Sequence, residues 1–309
     1  VVAKNDFNTM IFGEYGVGKR TVAQAIKEAG SRKEGLLVEL SLDQNSVDVS
    51  NRLFGSEKSS SPDLIGRQLG LLEKAHKGVL FVNNIEYLPH ASQGLLSNAI
   101  KNGKFRRSGG RNDISIDFQV ISASMKPLNE YVKQGLFNEQ LYYQLSSFLI
   151  EITPLRQRIE DVPVLAKYFL GNFSADNNTE GLKFSQGAIA IMQEYHWPEN
   201  IKELKHVVEC AASLGLFKNE SEISGELIKQ FLFDFNEEKS DIMRELAEYE
   251  FYKIEEALKR TNGRKEEAQK ILGYRSRRIM QNRIKQHCEQ YKDILEGYPM
   301  MREKYKRYH

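Results

Sequence analysis

Apolar and polar positions change their period along the chain near Pro154. Before it, short apolar runs (NTMIF, LLVEL, GVLFV, FQVISAS) alternate with longer segments (TVAQAIKEAG, IGRQLGLLEKA, GLLSNAIKNG) whose apolar residues recur every three or four positions. That alternation predicts an α/β layer structure over residues 1–153, with helices packed around a mostly parallel sheet. After Pro154 the strand-like runs stop. DVPVLAKYFLGNF, SQGAIAIMQEY, NIKELKHVVECAASL and ELIKQFLFDF keep the three-and-four spacing, which predicts a helical subdomain over 154–234. The polar stretch FNEEKSD marks a linker, taken as 235–243, and an all-α domain is expected over 244–309.

The 309 residues suffice for about two domains, and 40% hydrophobic with 28% charged residues is ordinary for a globular protein. No run approaches the roughly 18 apolar residues that a membrane span needs. With no signal-peptide layout, and with Cys210 and Cys288 far apart, a reducing cytoplasm is expected and a disulfide framework or zinc site is not. The net charge of +2 hides an asymmetry: from Asp241 onward 17 Lys/Arg face 12 Asp/Glu, and between Lys259 and Lys285 ten basic residues face two acidic ones. A basic block on a near-neutral chain points to a polyanionic partner.

GEYGVGK, Gly13 to Lys19, lies between a predicted strand and a predicted helix. Gly13, Gly16 and Gly18 let the backbone turn its amides toward a phosphate, the helix N-terminus adds positive potential, and Lys19 would reach the β and γ phosphates. Arg20 stands where a magnesium-binding hydroxyl is usual, with Thr21 one place later.

These residues resemble the phosphate loop GESGTGKE of bacterial enhancer-binding proteins, the AAA+ transcription activators that work with sigma-54 polymerase. The resemblance continues through LFGSEK, LLSNAIKNGKFRRSGG, LFNEQLYYQL, PLRQRIEDV and HWPENIKELKHVVE, about three quarters of the chain. It implies an AAA+ parallel sheet sandwiched by helices, followed by a helical lid. Against the family pattern several positions depart. Asn83 and Asn84 replace the Asp-Glu pair that holds magnesium and polarises water, and losing such a base costs about 10²- to 10⁴-fold. Asn138 and Gln144 replace two arginines that the family supplies across the subunit boundary, worth roughly 10³ to 10⁵ in rate. Lys202 replaces the lid arginine, keeping charge without its planar fork. The family's GAFTGA loop falls on Ser59 to Leu64, without its glycines or aromatic.

The segment FYKIEEALKRTNGRKEEAQKILGYRSRRIMQNRIKQH (251–287) resembles the Fis-type helix-turn-helix that ends most of these activators. The resemblance implies a helix to about Thr261, a stop at Asn262-Gly263, a second helix from Lys265 to Leu272, and a recognition helix from near Ser276. With Met280 and Ile284 inward, Arg277, Arg278, Gln281, Asn282 and Lys285 would face the groove, while Arg275 and Lys285 would suit phosphates. Such modules bind paired half-sites as dimers. The residues after His287 are expected to form a solvated extension with a short helix over 289–296.

The reading that follows is a DNA-binding transcription regulator, not an enzyme: its AAA+ domain would bind ATP without hydrolysis, sense a ligand and assemble. Its polymerase would be of the sigma-70 type. The degenerate motor is similar to VpsR- and FleQ-like regulators of biofilm and flagellar genes, which makes cyclic di-GMP a candidate ligand at Glu151, Arg156 and Arg158, although Gln24-Ala25 departs from the FleQ-like Arg-Asn. Two alternatives stand beside it: a slow ATPase of the sigma-54 activator class, and an assembly module indifferent to nucleotide. Because the chain starts about a dozen residues before the phosphate loop, an N-terminal truncation is expected.

Overall fold

Val79, Leu80, Phe81 and Val82 are all fully buried, and in the computed structural model they form an inner strand of a five-stranded parallel sheet. Described are residues 5–57, 68–177, 181–218, 220–233, 239–272, 281, 284–285 and 292–305. Strands β1 (Thr9–Phe12), β2 (Leu37–Ser41), β3 (Val79–Asn83), β4 (Gln119–Ser124) and β5 (Phe148–Glu151) lie in the order β2-β3-β4-β1-β5. A strand buried on both faces reads as an unbroken apolar run, because successive side chains point to opposite sides. Val79 and Phe81 accordingly pack with Ile11, Ala23, Ile26 and Ile121. Leu80 and Val82 pack on the other side with Leu40, Leu53, Leu96 and Leu141. Each such side chain contributes about 1.5–3 kcal/mol by leaving water.

The first group includes helix α1 (Lys19–Glu28), and the second includes α2 (Val49–Phe54), α3 (His90–Asn102) and α4 (Glu139–Leu145). This makes the expected sandwich, and it brings the ends of β1, β3 and β4 together in parallel. In such sheets ligands sit outside the carboxyl ends of the strands.

Beside the sheet, Gly55–Ser56 pairs antiparallel with Gln68–Leu69. Gly55 has φ +77°, and a Cβ there would stand 2.5 Å from the Gln68 carbonyl oxygen, so only glycine fits. The pairing is fastened by Arg107, whose side chain is 3% exposed. It donates to Glu57 Oε1 at 2.7 Å and through Nε to Glu73 Oε1 at 2.8 Å, with a second bond to Glu73 Oε2.

The chain divides into two compact units, residues 1–157 and 158–309. In the second, α5 (Val162–Asn177), α6 (Gln186–Glu194), α7 (Asn200–Phe217) and α8 (Gly225–Phe233) pack together, with the short strands Lys183–Phe184 and Glu222–Ile223 paired in parallel. Trp197 is fully buried and donates from Nε1 to the Met192 carbonyl at 2.8 Å. Residues 239–243, expected in the linker, are instead the start of α9 (Lys239–Arg260). The reason lies in the composition: an acidic residue such as Asp241 suits the start of a helix as well as it suits a linker.

After α9 the backbone turns left-handed at Asn262 and Gly263 (φ 49° and 77°), and α10 (Lys265–Ile271) follows. Ala247, Phe251, Ile254, Leu258, Ala268 and Ile284 form a core of their own, joined by Ile294, Leu295, Met301 and Tyr305. The tail is therefore not a solvated extension over its described residues. Its helix α11 (Pro299–Lys304) buries Met301, and Glu255 accepts from the Met300 and Met301 amides at 3.2 and 2.9 Å. By composition the tail is basic and tyrosine-bearing, which on its own suits a solvated extension. It folds back because a buried carboxylate satisfies the first amides of its helix.

Candidate functional site

The glycine loop runs from the end of β1 into α1. Gly16 and Gly18 take positive φ values of 76° and 100°, and the Gly13 amide donates to the Ser124 carbonyl of β4 at 3.3 Å. Gly18 caps α1 without a side-chain acceptor, and no acidic residue stands in the first turn. The leading amides of α1 are thus available to an anion. Lys19 is buried and folds back over the loop, donating from Nζ to the carbonyls of Gly13 at 2.6 Å and Glu14 at 2.9 Å. Burial holds its ammonium below the usual lysine range, while the charge of Glu86 pulls the other way. Arg20 pairs with Glu39 of β2 at 2.7 Å, and Thr21 is exposed on the helix.

Asn83 closes β3 in register with Ser41 and Ala123, and its carbonyl accepts from the Leu42 amide at 3.1 Å. Asn84 sits in the left-handed region (φ 55°, ψ 51°) and donates from Nδ2 to the Leu42 carbonyl at 2.9 Å. Asparagine tolerates that backbone better than most residues, and a glutamate could not make the bond. Residue 84 therefore has a local structural job here. Two residues on, in the turn that follows β3, Glu86 accepts from the Met125 amide at the end of β4 at 3.1 Å. Its other oxygen, Oε2, is buried without a hydrogen-bond partner among the described residues. Burial pushes the Glu86 carboxyl up, against the Met125 and Glu86 amides and the Lys19 charge.

Asn138 and Gln144 are engaged within their own chain. Asn138 caps α4, its Oδ1 accepting from the Leu141 amide at 2.9 Å, and its amide donates to Gln93 Oε1 at 2.7 Å. Gln144 donates from Nε2 to the Ser97 carbonyl of α3 at 3.2 Å. The variant Asn138→Ala is expected to lose about 1 kcal/mol, read as a lower midpoint in denaturant with an unchanged slope.

Arg156 grips Glu14 of the glycine loop with both terminal nitrogens, at 2.7 and 2.5 Å. Glu151 ends β5 in register with Phe12 and is exposed. In the second unit, Arg158 pairs with Asp161 at 3.7 Å, and Lys202 is exposed in the first turn of α7. Of the residues expected to face DNA, Gln281 and Lys285 are helical, and Lys285 is exposed next to the buried Ile284. Arg275, Arg277, Arg278 and Asn282 lie outside the described residues, as does the stretch from Ser59 to Leu64.

Sequence reasoning missed Glu14 and Glu86 at this site. The Glu14–Arg156 pair joins positions far apart in the chain, so no local signal marks it. Glu86 was in plain view two residues after Asn84, but its orientation depends on the Met125 amide, which only the sheet brings close.

Residues 1–151 match the sigma-54 interaction domain, and residues 156–245 match the AAA+ ATPase lid domain. The chain is similar to the nitrogen fixation protein AnfA of Azotobacter vinelandii, 34% identical over 95% of this chain and 55% of that protein. It is similar to the transcriptional regulatory protein ZraR of Klebsiella oxytoca, 34% identical over 88% of this chain and 62% of that one. Among solved structures, NtrX from Brucella abortus in complex with ATP has a TM-score of 0.66, at 26% identity, over 93% of this chain and 65% of NtrX. The chain spans less than two thirds of the length of each of these.

These matches overturn the expectation that the chain is not an enzyme: a sigma-54 interaction domain with an AAA+ ATPase lid, on the fold of an ATP-bound protein, points to an ATPase. The misreading came from taking the side chains at 83, 84, 138 and 144 as the whole of the chemistry. Residues 1–151 of this chain thus resemble a sigma-54 interaction domain and residues 156–245 an AAA+ ATPase lid domain, and the proteins the chain is similar to include transcriptional regulators.

Proposed function

We propose that the protein is a DNA-binding transcription regulator of the sigma-54 activator class whose AAA+ domain binds ATP and hydrolyses it slowly. The observation that carries this reading is the loop itself: Lys19, buried and held on two loop carbonyls, faces the uncapped start of α1 at the carboxyl end of the sheet. An entering triphosphate would replace the Gly13 and Glu14 carbonyls as the lysine's partner and take the helix amides as donors. Magnesium would accompany the nucleotide, and it would find Asn83, an amide, where the family has a carboxylate. The rate is slow on this account because Asn138 and Gln144 provide no positive charge to a neighbouring subunit.

The remaining roles follow the resemblance. The C-terminal module would read double-stranded DNA through Arg275, Arg277, Arg278, Gln281, Asn282 and Lys285, as a dimer or higher oligomer in the cytoplasm. The polymerase partner is of the sigma-54 type, in keeping with the match of residues 1–151, and not of the sigma-70 type that the altered stretch at Ser59 to Leu64 and the replaced catalytic side chains together suggest. Cyclic di-GMP is not carried forward either, because Arg156 already has a carboxylate partner in Glu14.

The test is a phosphate-release assay on the whole chain with ATP and magnesium. Slow release is expected, and Lys19→Ala is expected to remove it together with the binding of a fluorescent ATP analogue. Binding of the analogue with no release above the Lys19→Ala background would refute the ATPase reading.

A further inference from the structure

We propose that Glu86 supplies the carboxylate base of this site, taking over from the strand-end position that Asn84 occupies. The inference rests on the ATPase reading above and names the group that does its proton transfer.

Three observations lead to it. The side chain at 84 is committed to the Leu42 carbonyl, and an amide accepts no proton at neutral pH in any case. Glu86, on the turn that leaves the same strand, has one oxygen fixed by the Met125 amide and the other buried without a hydrogen-bond partner among the described residues. A buried carboxylate oxygen without a donor costs stability, and proteins retain such atoms where function uses them. Finally, Met125, which holds Glu86, directly follows Ser124, whose carbonyl accepts from the Gly13 amide of the glycine loop at 3.3 Å, so the carboxylate is tied to the strand end that carries the phosphate loop, and its charge and that of Lys19 act on each other. One anchored oxygen and one oxygen left without a donor, at the strand end that holds the phosphate loop, is an arrangement that suits a water-activating base once nucleotide and water enter.

The step balances without any other reactant. A water oxygen attacks the γ-phosphorus as Glu86 Oε2 takes a water proton. The bond from the γ-phosphorus to the bridging oxygen breaks, that oxygen leaves with ADP, and the proton passes to the released phosphate. Asn83 and Asn84 take no part in the transfer.

The decisive variant is Glu86→Gln in the whole chain. Its amide oxygen can still accept from Met125, so the fold is kept while the base is removed. The expected result is a loss of phosphate release of about 10²- to 10⁴-fold with unchanged affinity for a fluorescent ATP analogue. A second readout separates this role from a structural one. Burial raises the Glu86 carboxyl in the fold, so folding disfavours its ionised form, and stability present below the ordinary carboxylate range is lost as pH rises through the raised value. Lys19 from α1, and Tyr131, whose phenol is pushed up by burial and then by the Glu86 charge, are the described groups whose charge or titration couples to it. Glu86→Gln is therefore expected to raise the melting temperature of the nucleotide-free protein at neutral pH, and the gain should vanish in acid.

Release by Glu86→Gln within threefold of the parent overturns the proposal and leaves the ATPase reading standing. So does a lower melting temperature at neutral pH accompanied by lost nucleotide affinity, since that marks Glu86 as part of the framework. A parent protein that binds the analogue but releases no phosphate overturns the ATPase reading, and this proposal with it.

Discussion

Arg107→Ala is expected to destabilise the first unit by about 3–5 kcal/mol, because it strands the largely buried Glu73 carboxylate, while the more exposed Glu57 can turn to water. The side chain is almost wholly buried, and its fork meets Glu73 with two nitrogens and Glu57 with a third. Geometry of this kind makes a buried pair costly to break, even though swapping all partners for apolar residues can be nearly neutral. The two glutamates are unequal: Glu73 is the more buried and also accepts from the Gly70 amide at 3.2 Å. Denaturant unfolding of Arg107→Ala and of Arg107→Ala with Glu73→Gln would check the argument. The second change should recover part of the loss, since it removes the stranded charge. A loss below about 1 kcal/mol for the single variant would place this cluster with ordinary surface pairs.

The second large effect concerns Asn84, and it runs against the intuition that restoring a family residue restores its chemistry. Asn84→Glu is expected to cost about 2–5 kcal/mol and to leave the rate of phosphate release no higher. The cost has two parts. A residue other than glycine, asparagine or aspartate in the left-handed region costs about 1–2 kcal/mol, and the Leu42 carbonyl, deprived of its donor, adds about 1–3 kcal/mol. The backbone that holds the local conformation is fixed at both ends, by the Leu42 amide on Asn83 and the Tyr87 amide on Asn84 at 3.0 Å. Thermal unfolding beside a phosphate-release assay decides the matter. A faster variant of unchanged stability would show that the strand end is still a working position.

The sheet, the glycine loop and the helices after it were legible because they are written locally. GVLFV is a strand buried on both faces, and its length and punctuation admit little else. The stop at Asn262-Gly263 and the start of the next helix at Lys265 were legible for the same reason: a left-handed turn needs residues that tolerate it. What was illegible depends on contacts between distant segments. Arg107 looks like one more basic residue in KFRRSGG until Glu57 and Glu73 are brought to it. Asn84 reads as lost chemistry until the Leu42 carbonyl appears opposite it. The tail reads as solvated until Glu255 is placed under the first turn of its helix. In each case a polar residue changed meaning when its partner arrived, and polar residues carry the site.

The antiparallel step between Gly55–Ser56 and Gln68–Leu69 sets a rule for what lies between them. Its two strands stand about 4.7–4.9 Å apart, and Arg107 pins the platform from beneath through Glu57 and Glu73. The entropy of joining the ends of residues 58–67 is thus borne by the scaffold, and even a doubling of their number would add only about 0.6 kcal/mol. The posts themselves, Glu57 and Gln68, are set by the pairing and by Arg107 whatever the sequence between them, so a change in the number of residues there is felt chiefly as this small entropy term.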